Sequence, residues 1–212
     1  MANYYPMTQA TNLQIAEIPN KWDRTIVTYS VLRGTEDIAG DAIERKIINL
    51  AMTSWELYIP LVLKYVKASE DPDIRIEWVP AAEDSYFGKD SGILAYAGFP
   101  KTSYQGVLRF NDDKIWSVDG LGQPYVRPED GVTIMRKTYN GNQTAGHETG
   151  HLLGSVHSDQ PNDLMYPYYN GTIMPTTIDS QRIQLKYGVR QWEGDWFTRI
   201  QNLISRRRKN WN

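Results

Sequence analysis

All three histidines of this chain fall in one short stretch, Gly146-His147-Glu148-Thr149-Gly150-His151-Leu152-Leu153-Gly154-Ser155-Val156-His157. On an α-helix, residues four apart stand on one face, one turn above the other, so His147 and His151 can grip the same ion. Gly154 suits the left-handed conformation that stops a helix and redirects the chain, which brings His157 back to that ion from outside the helix. Three neutral imidazoles with a fourth position open describe a catalytic zinc site, because structural zinc is closed by four protein ligands. Glu148 stands beside the metal without having to bind it. Zinc lowers the pKa of bound water to about 7. A neighbouring carboxylate can then take a proton as water attacks a carbonyl and pass it to the leaving amine. The chemistry indicated is amide hydrolysis, with one catalytic Zn2+, ligands His147, His151 and His157, and Glu148 as general base and acid. A lone helical histidine is an ordinary packed or exposed residue; three of them with a glutamate and a glycine at these spacings form a specific pattern.

The pattern H-E-x-x-H-x-x-G-x-x-H resembles the metzincin clan of zinc endopeptidases. Downstream, Asp163-Leu164-Met165-Tyr166-Pro167 is similar to the Met-turn of the matrixins, the matrix-metalloprotease family. The resemblance implies that Met165 forms an apolar floor beneath the zinc. It also implies that Pro167, Tyr168 and Tyr169, a Pro-x-Tyr run, wall the pocket for the side chain after the cut. Taken alone, Met165 would be common core filler. The fold implied is α/β (α+β): a twisted, mixed five-stranded sheet with three main helices, plus a C-terminal extra helix.

The elements that must position these groups can be followed along the chain. Thr25 to Leu32 is rich in β-branched and aromatic residues and predicts the first strand. Residues 35–58 carry apolar residues at helical spacing and predict a helix ended by Pro60. Leu61 to Val66 and Ile74 to Val79 predict two further strands, and residues 80–91 a polar loop. Ser91 to Ala97 resembles the matrixin edge strand. An exposed edge can accept an extended peptide as an added strand, and the resemblance points to Leu94 and Ala95 as the residues that pair with substrate. The family's edge strand supplies a histidine to a second, structural zinc; Tyr96 stands there in this chain, and Arg109 replaces the other ligand histidine on the strand Val107–Phe110. No structural zinc of the family type is expected. Calcium is left open: Asp90, Asp112 and Asp113 could hold a hard cation through oxygen, or form a solvated acidic loop. Residues 114–137 read as loop, Asn142 or Thr144 as the cap of the zinc helix, and Ile178 to Tyr187 as a last helix closed by Gly188. The family braces the Met-turn with two aspartates of that helix. Gln181 and Arg182 stand near those positions, and Asp179 is the one acidic residue close by.

With 212 residues, 41% hydrophobic and 23% charged, the chain suits one globular domain. A net charge of -2 offers no case for nucleic acid as a partner, and no apolar run is long enough to span a bilayer. There is no cysteine, so disulfides are excluded. The expected organisation is a leader over residues 1–18, the metalloprotease domain over 19–188, and a C-terminal amphipathic helix with a basic end over 189–212. The expected partner is a protein or peptide substrate, and the chain is expected to act as a monomer. The resemblance implies an extracellular setting, although the first residues do not form a secretion signal. The rival reading is a zinc-containing module that grips a peptide strand with little or no proteolysis.

Overall fold

The computed structural model describes residues 20–38, 40–88 and 92–191. The leader and the basic C-terminal helix expected from sequence therefore lie outside the described residues, apart from 189–191. The chain enters through β1 (Ile26–Arg33), α1 (Asp41–Glu56), β2 (Val62–Tyr65) and β3 (Ile74–Val79). It continues through β4 (Ala95–Ala97), β5 (Val107–Asn111), β6 (Trp116–Ser117), β7 (Gln123–Val126), β8 (Thr133–Arg136) and β9 (Tyr139–Asn140). Two helices follow, α2 (Gly141–Leu152) and α3 (Thr177–Tyr187).

Five strands form one sheet in the order β2-β1-β3-β5-β4. The first four run parallel, and β4 closes one edge antiparallel to β5. Parallel neighbours need long crossovers, and α1 supplies the one between β1 and β2. Its apolar face, with Ile47, Ile48, Ala51, Met52 and Trp55, is buried against the sheet and α2 in the main core. Trp78 and Phe110, opposite each other on β3 and β5, stack at 4.3 Å and fill the sheet's centre. The five-stranded mixed sheet and three helices agree with the expected fold. No helix among the described residues is long and apolar enough to cross a membrane.

Three local expectations shift. Helix α1 starts at Asp41 instead of residue 35, because Gly40 takes a φ of 93° and breaks the spiral there; Ile38 is buried from the preceding loop. The edge strand is only three residues long, Ala95 to Ala97. Residues 114–137, expected as loop, hold the β7–β8 hairpin, paired from Gln123↔Arg136 to Val126↔Thr133 and turning through Gly131 at a φ of 69°.

Candidate active site

Helix α2 is set by its two ends. The Asn140 side chain accepts the amides of Asn142 and Gln143, satisfying donors that a helix start leaves open. The cap is thus Asn140, not Asn142 or Thr144; the weak helix former Gly141 hides the start. At the other end Gly154 has a φ of 91°, its amide bonds to the His151 carbonyl, and the Ser155 amide bonds to the Gly150 carbonyl. This is a Schellman closure, and it turns the chain so that His157 comes back to the helix.

The three imidazoles converge. Ring centroids lie 4.8 Å apart for His147–His151, 5.2 Å for His147–His157 and 4.8 Å for His151–His157. Their donor atoms all fall within 4.8 Å of one another, and among the described residues this is the only such group of three. His151 Nε2 and His157 Nε2 stand 3.2 Å apart, close to the ~3.3 Å separation that Zn–N bonds of about 2.0–2.1 Å at a tetrahedral angle require. His147 Nδ1 donates to the Leu164 carbonyl at 2.7 Å and His151 Nδ1 to the Ser155 carbonyl at 2.8 Å, so both rings turn Nε2 lone pairs inward. Phe99 packs on His151 at 5.2 Å.

Burial sets the charge state. It drives His147 down to about 4. Burial and then His147 drive His157 down to about 3. His151 falls well below its ordinary value for the same reason, with His147 and His157 adding to it. The triad is therefore neutral, as ligands must be. Burial also pushes Glu148 well above the usual carboxyl range. His147 Nε2 and both Glu148 oxygens are buried with no hydrogen-bond partner. Unpaired buried polar atoms are costly, and a metal ion with its water is a partner these atoms fit. The donor set suits zinc.

The floor and braces come from distant residues. Met165, 1% exposed, packs under α2 at Gly150, where a Cβ would run into its sulfur. Asp179 holds the turn that carries it: its carboxylate accepts the amides of Leu164 (2.8 Å), Met165 (3.3 Å) and Thr176 (2.9 Å). The brace expected of two helix aspartates thus rests on Asp179, aided by Asp163, which takes the hydroxyls of Ser158 and Thr176. Gln181 makes no such contact, and Arg182 faces Asp159 at 4.0 Å. The Trp55 indole ties α1 to α2 through the Gly146 carbonyl at 2.8 Å. Trp55 was not singled out for the site by sequence because it reaches Gly146 from 91 residues away, whereas Asn140 is a local cap that Gly141 conceals.

Pro167 is buried, while Tyr168 and Tyr169 are exposed. The Tyr169 hydroxyl accepts the Asn140 amide at 3.0 Å and its ring meets Tyr139 edge-on. At the edge strand the two expected pairing residues differ. The Leu94 carbonyl already accepts the Asn111 amide at 2.8 Å. Backbone groups alternate along an antiparallel ladder, so Ala95, opposite Phe110, turns its amide and carbonyl to the open edge. Asp112 and Asp113 do not join a third acidic donor among the described residues, and Asp90 lies outside them.

The matrixin family profile matches residues 21–188 of this chain. The chain belongs to the matrixin family. This matrixin is 32% identical over 174 residues to human matrix metalloproteinase-26, covering 79% of this chain and 60% of that protein. It is 32% identical over 157 residues to karilysin of Tannerella forsythia, covering 72% of this chain and 30% of that protein. Horse stromelysin-1 is 30% identical over 175 residues, with 79% and 33% covered. The chain thus spans less than two thirds of each relative's length. The histidine triad is compatible with a bound metal ion.

Proposed function

We propose that this matrixin is a zinc-dependent endopeptidase that hydrolyses internal peptide bonds of proteins, with residues 19–188 as the catalytic unit. The observation that carries the proposal is the pairing of three inward-facing neutral imidazoles with a buried, unpartnered Glu148. His147, His151 and His157 hold the ion. When bound, zinc supplies Lewis acidity that polarises the scissile carbonyl and acidifies water. Glu148, its affinity for a proton raised by burial, takes the proton from the attacking water and delivers it to the departing amine. The extended substrate lies along the outer edge of β4, pairing with Ala95, and its side chain after the cut enters a pocket bounded by Pro167, Tyr168 and Tyr169. Met165 closes the floor.

Glu148→Gln tests the mechanism. The variant is expected to keep its zinc and lose about 100-fold or more in kcat, the contribution of a positioned proton shuttle. Zinc-loaded Glu148→Gln that cleaves a peptide library as fast as the parent would overturn the assignment. His151→Ala should empty the site, and full zinc occupancy by metal analysis would contradict the ligand set.

A further inference from the structure

Away from the triad, one buried carboxylate gathers partners from several elements. Asp84 lies in the loop after β3 and is 8% exposed. Its Oδ2 accepts the Tyr96 hydroxyl at 2.5 Å and an Arg109 guanidinium N–H at 3.0 Å, and its Oδ1 accepts the Tyr86 amide at 3.0 Å. Tyr96 and Arg109 are direct cross-strand partners on β4 and β5, and Glu77 stands opposite Arg109 on β3. Directly opposed residues share a face. Glu77, Arg109 and Tyr96 therefore form a row across the edge of the sheet, with Arg109 Nε donating to Glu77 at 3.3 Å, and Asp84 ties the loop onto that row. Beside it, the Tyr86 and Phe87 rings meet the Tyr96 ring at 4.6 Å and 5.4 Å respectively; Val79, Phe87 and Tyr96 make a small second core.

The family resemblance implies a structural zinc at the positions of Tyr96 and Arg109. The residues present do not fit one. A guanidinium has five donors, no acceptor and no accessible neutral form, and at this spacing it repels a second cation. Burial pushes the Asp84 carboxyl up, but the hydrogen bonds from Tyr96 and Arg109 outweigh it and hold the group below its ordinary value. Burial, and then Asp84, drive the Tyr96 phenol up, which keeps it a protonated donor and not a phenolate ligand.

We infer that Arg109 is the fixed cation of this corner: Asp84, Tyr96 and Arg109 form a clasp that needs no metal, folds the 80–88 loop over the edge strand, and so positions one wall of the cleft. The clasp holds β4 from the loop side while Ala95 presents its amide outward. The loop also carries Tyr86, whose hydroxyl is pushed up to about 12, chiefly by burial. Asp84, Tyr96 and Arg109 are positioning residues; they act through the strand and the loop, not on the scissile bond.

Hydrogen–deuterium exchange on the full chain, zinc-loaded and chelator-treated, with metal content measured alongside, tests the clasp. Chelation is expected to leave protection of segments 84–88 and 95–97 within about twofold of the loaded protein. Arg109→Ala should speed exchange there by about tenfold or more, since opening a local unit follows the free energy that holds it, with a single zinc retained. Arg109→Lys should restore part of the protection. Tyr96→Phe, which removes only the hydroxyl, carries the same test at smaller amplitude if Arg109→Ala does not fold. The inference falls if chelation opens the loop as far as Arg109→Ala does, if a second zinc leaves together with the protection, or if Arg109→Ala changes nothing. None of these readouts needs hydrolysis, so an inactive protein would sink the proposed function and leave the clasp standing.

Discussion

Gly150 sits in mid-helix between two metal-site histidines, where helix propensity alone favours alanine by about 1 kcal/mol. The structure predicts the opposite sign. A Cβ at Gly150 would lie 2.7 Å from Trp55 Cζ2 and 3.0 Å from Met165 Cε, and closer still to the Met165 sulfur. Neither neighbour has free space: Trp55 is fully buried and tied to the Gly146 carbonyl, and Met165 is 1% exposed with its amide held by Asp179. Overpacking a tight core costs typically about 1–3 kcal/mol. With two buried groups displaced, the upper end applies, and the net effect is about 2 kcal/mol of destabilisation. For a domain of this size that corresponds to a fall in Tm of about 4–8 °C. Calorimetry of Gly150→Ala against the parent, both zinc-loaded, measures it. A double-mutant cycle with Met165→Ala, which clears the sulfur, should show coupling of about 1 kcal/mol. If Gly150→Ala unfolds at or above the parent's temperature, or if the two substitutions add independently, the packing argument is wrong.

Asp179→Ala strands the amides of Leu164, Met165 and Thr176, at about 1–3 kcal/mol for each that stays buried. It also loosens the carbonyl that orients His147, so zinc affinity should fall by about 10–100-fold, read by chelator competition; unchanged affinity would refute the brace. In chelated protein, Glu148→Gln should be more stable than the parent at pH 7, and the gap should close as pH falls to 4.5. A carboxyl whose pKa is raised on folding loses stability as pH rises above its unfolded value, and thermal melts across pH check this. In that same chelated variant the Glu148 titration is gone and that of the histidines remains. Their folded values lie below the unfolded 6.5, so their contribution is complete above pH 6.5 and is lost as pH falls through about 4 for His147 and about 3 for His157; a flat pH profile between 7 and 4 would contradict it.

The site was legible where its parts are close in sequence. The i, i+4 histidines, the glycine stop and the returning His157 are all local, and the fold brings them together at the spacing that pattern requires. What escaped depends on contacts over long separations. Asp179 was in view as the one acidic residue near the expected brace, but its reach to Leu164 and Met165, fifteen and fourteen residues away, was not. Asp84 meets Tyr96 and Arg109 only because three strands are in register. The β7–β8 hairpin was hidden for another reason: Pro124 lies inside β7, and proline argues against a strand. The Asp130-Gly131 pair was the available signal for the turn. The pairing of the edge was hidden in the sequence as well: the Leu94 carbonyl is taken by the Asn111 amide within the sheet, and alternation leaves Ala95 toward the open edge.

The proposed donors to the ion are close in sequence and their braces are not. His147, His151 and His157 fall within eleven consecutive residues, whereas Trp55, Leu164 and Asp179 come from elsewhere in the chain. A denatured chain keeps the first group within reach of one another and scatters the second. Zinc would thus find partners in the denatured chain too, and it would stabilise the native state only by the difference between its two affinities. Capture of the ion belongs largely to a short peptide. Fixing the tautomers, and keeping an idle carboxylate beside them, belongs to the whole fold.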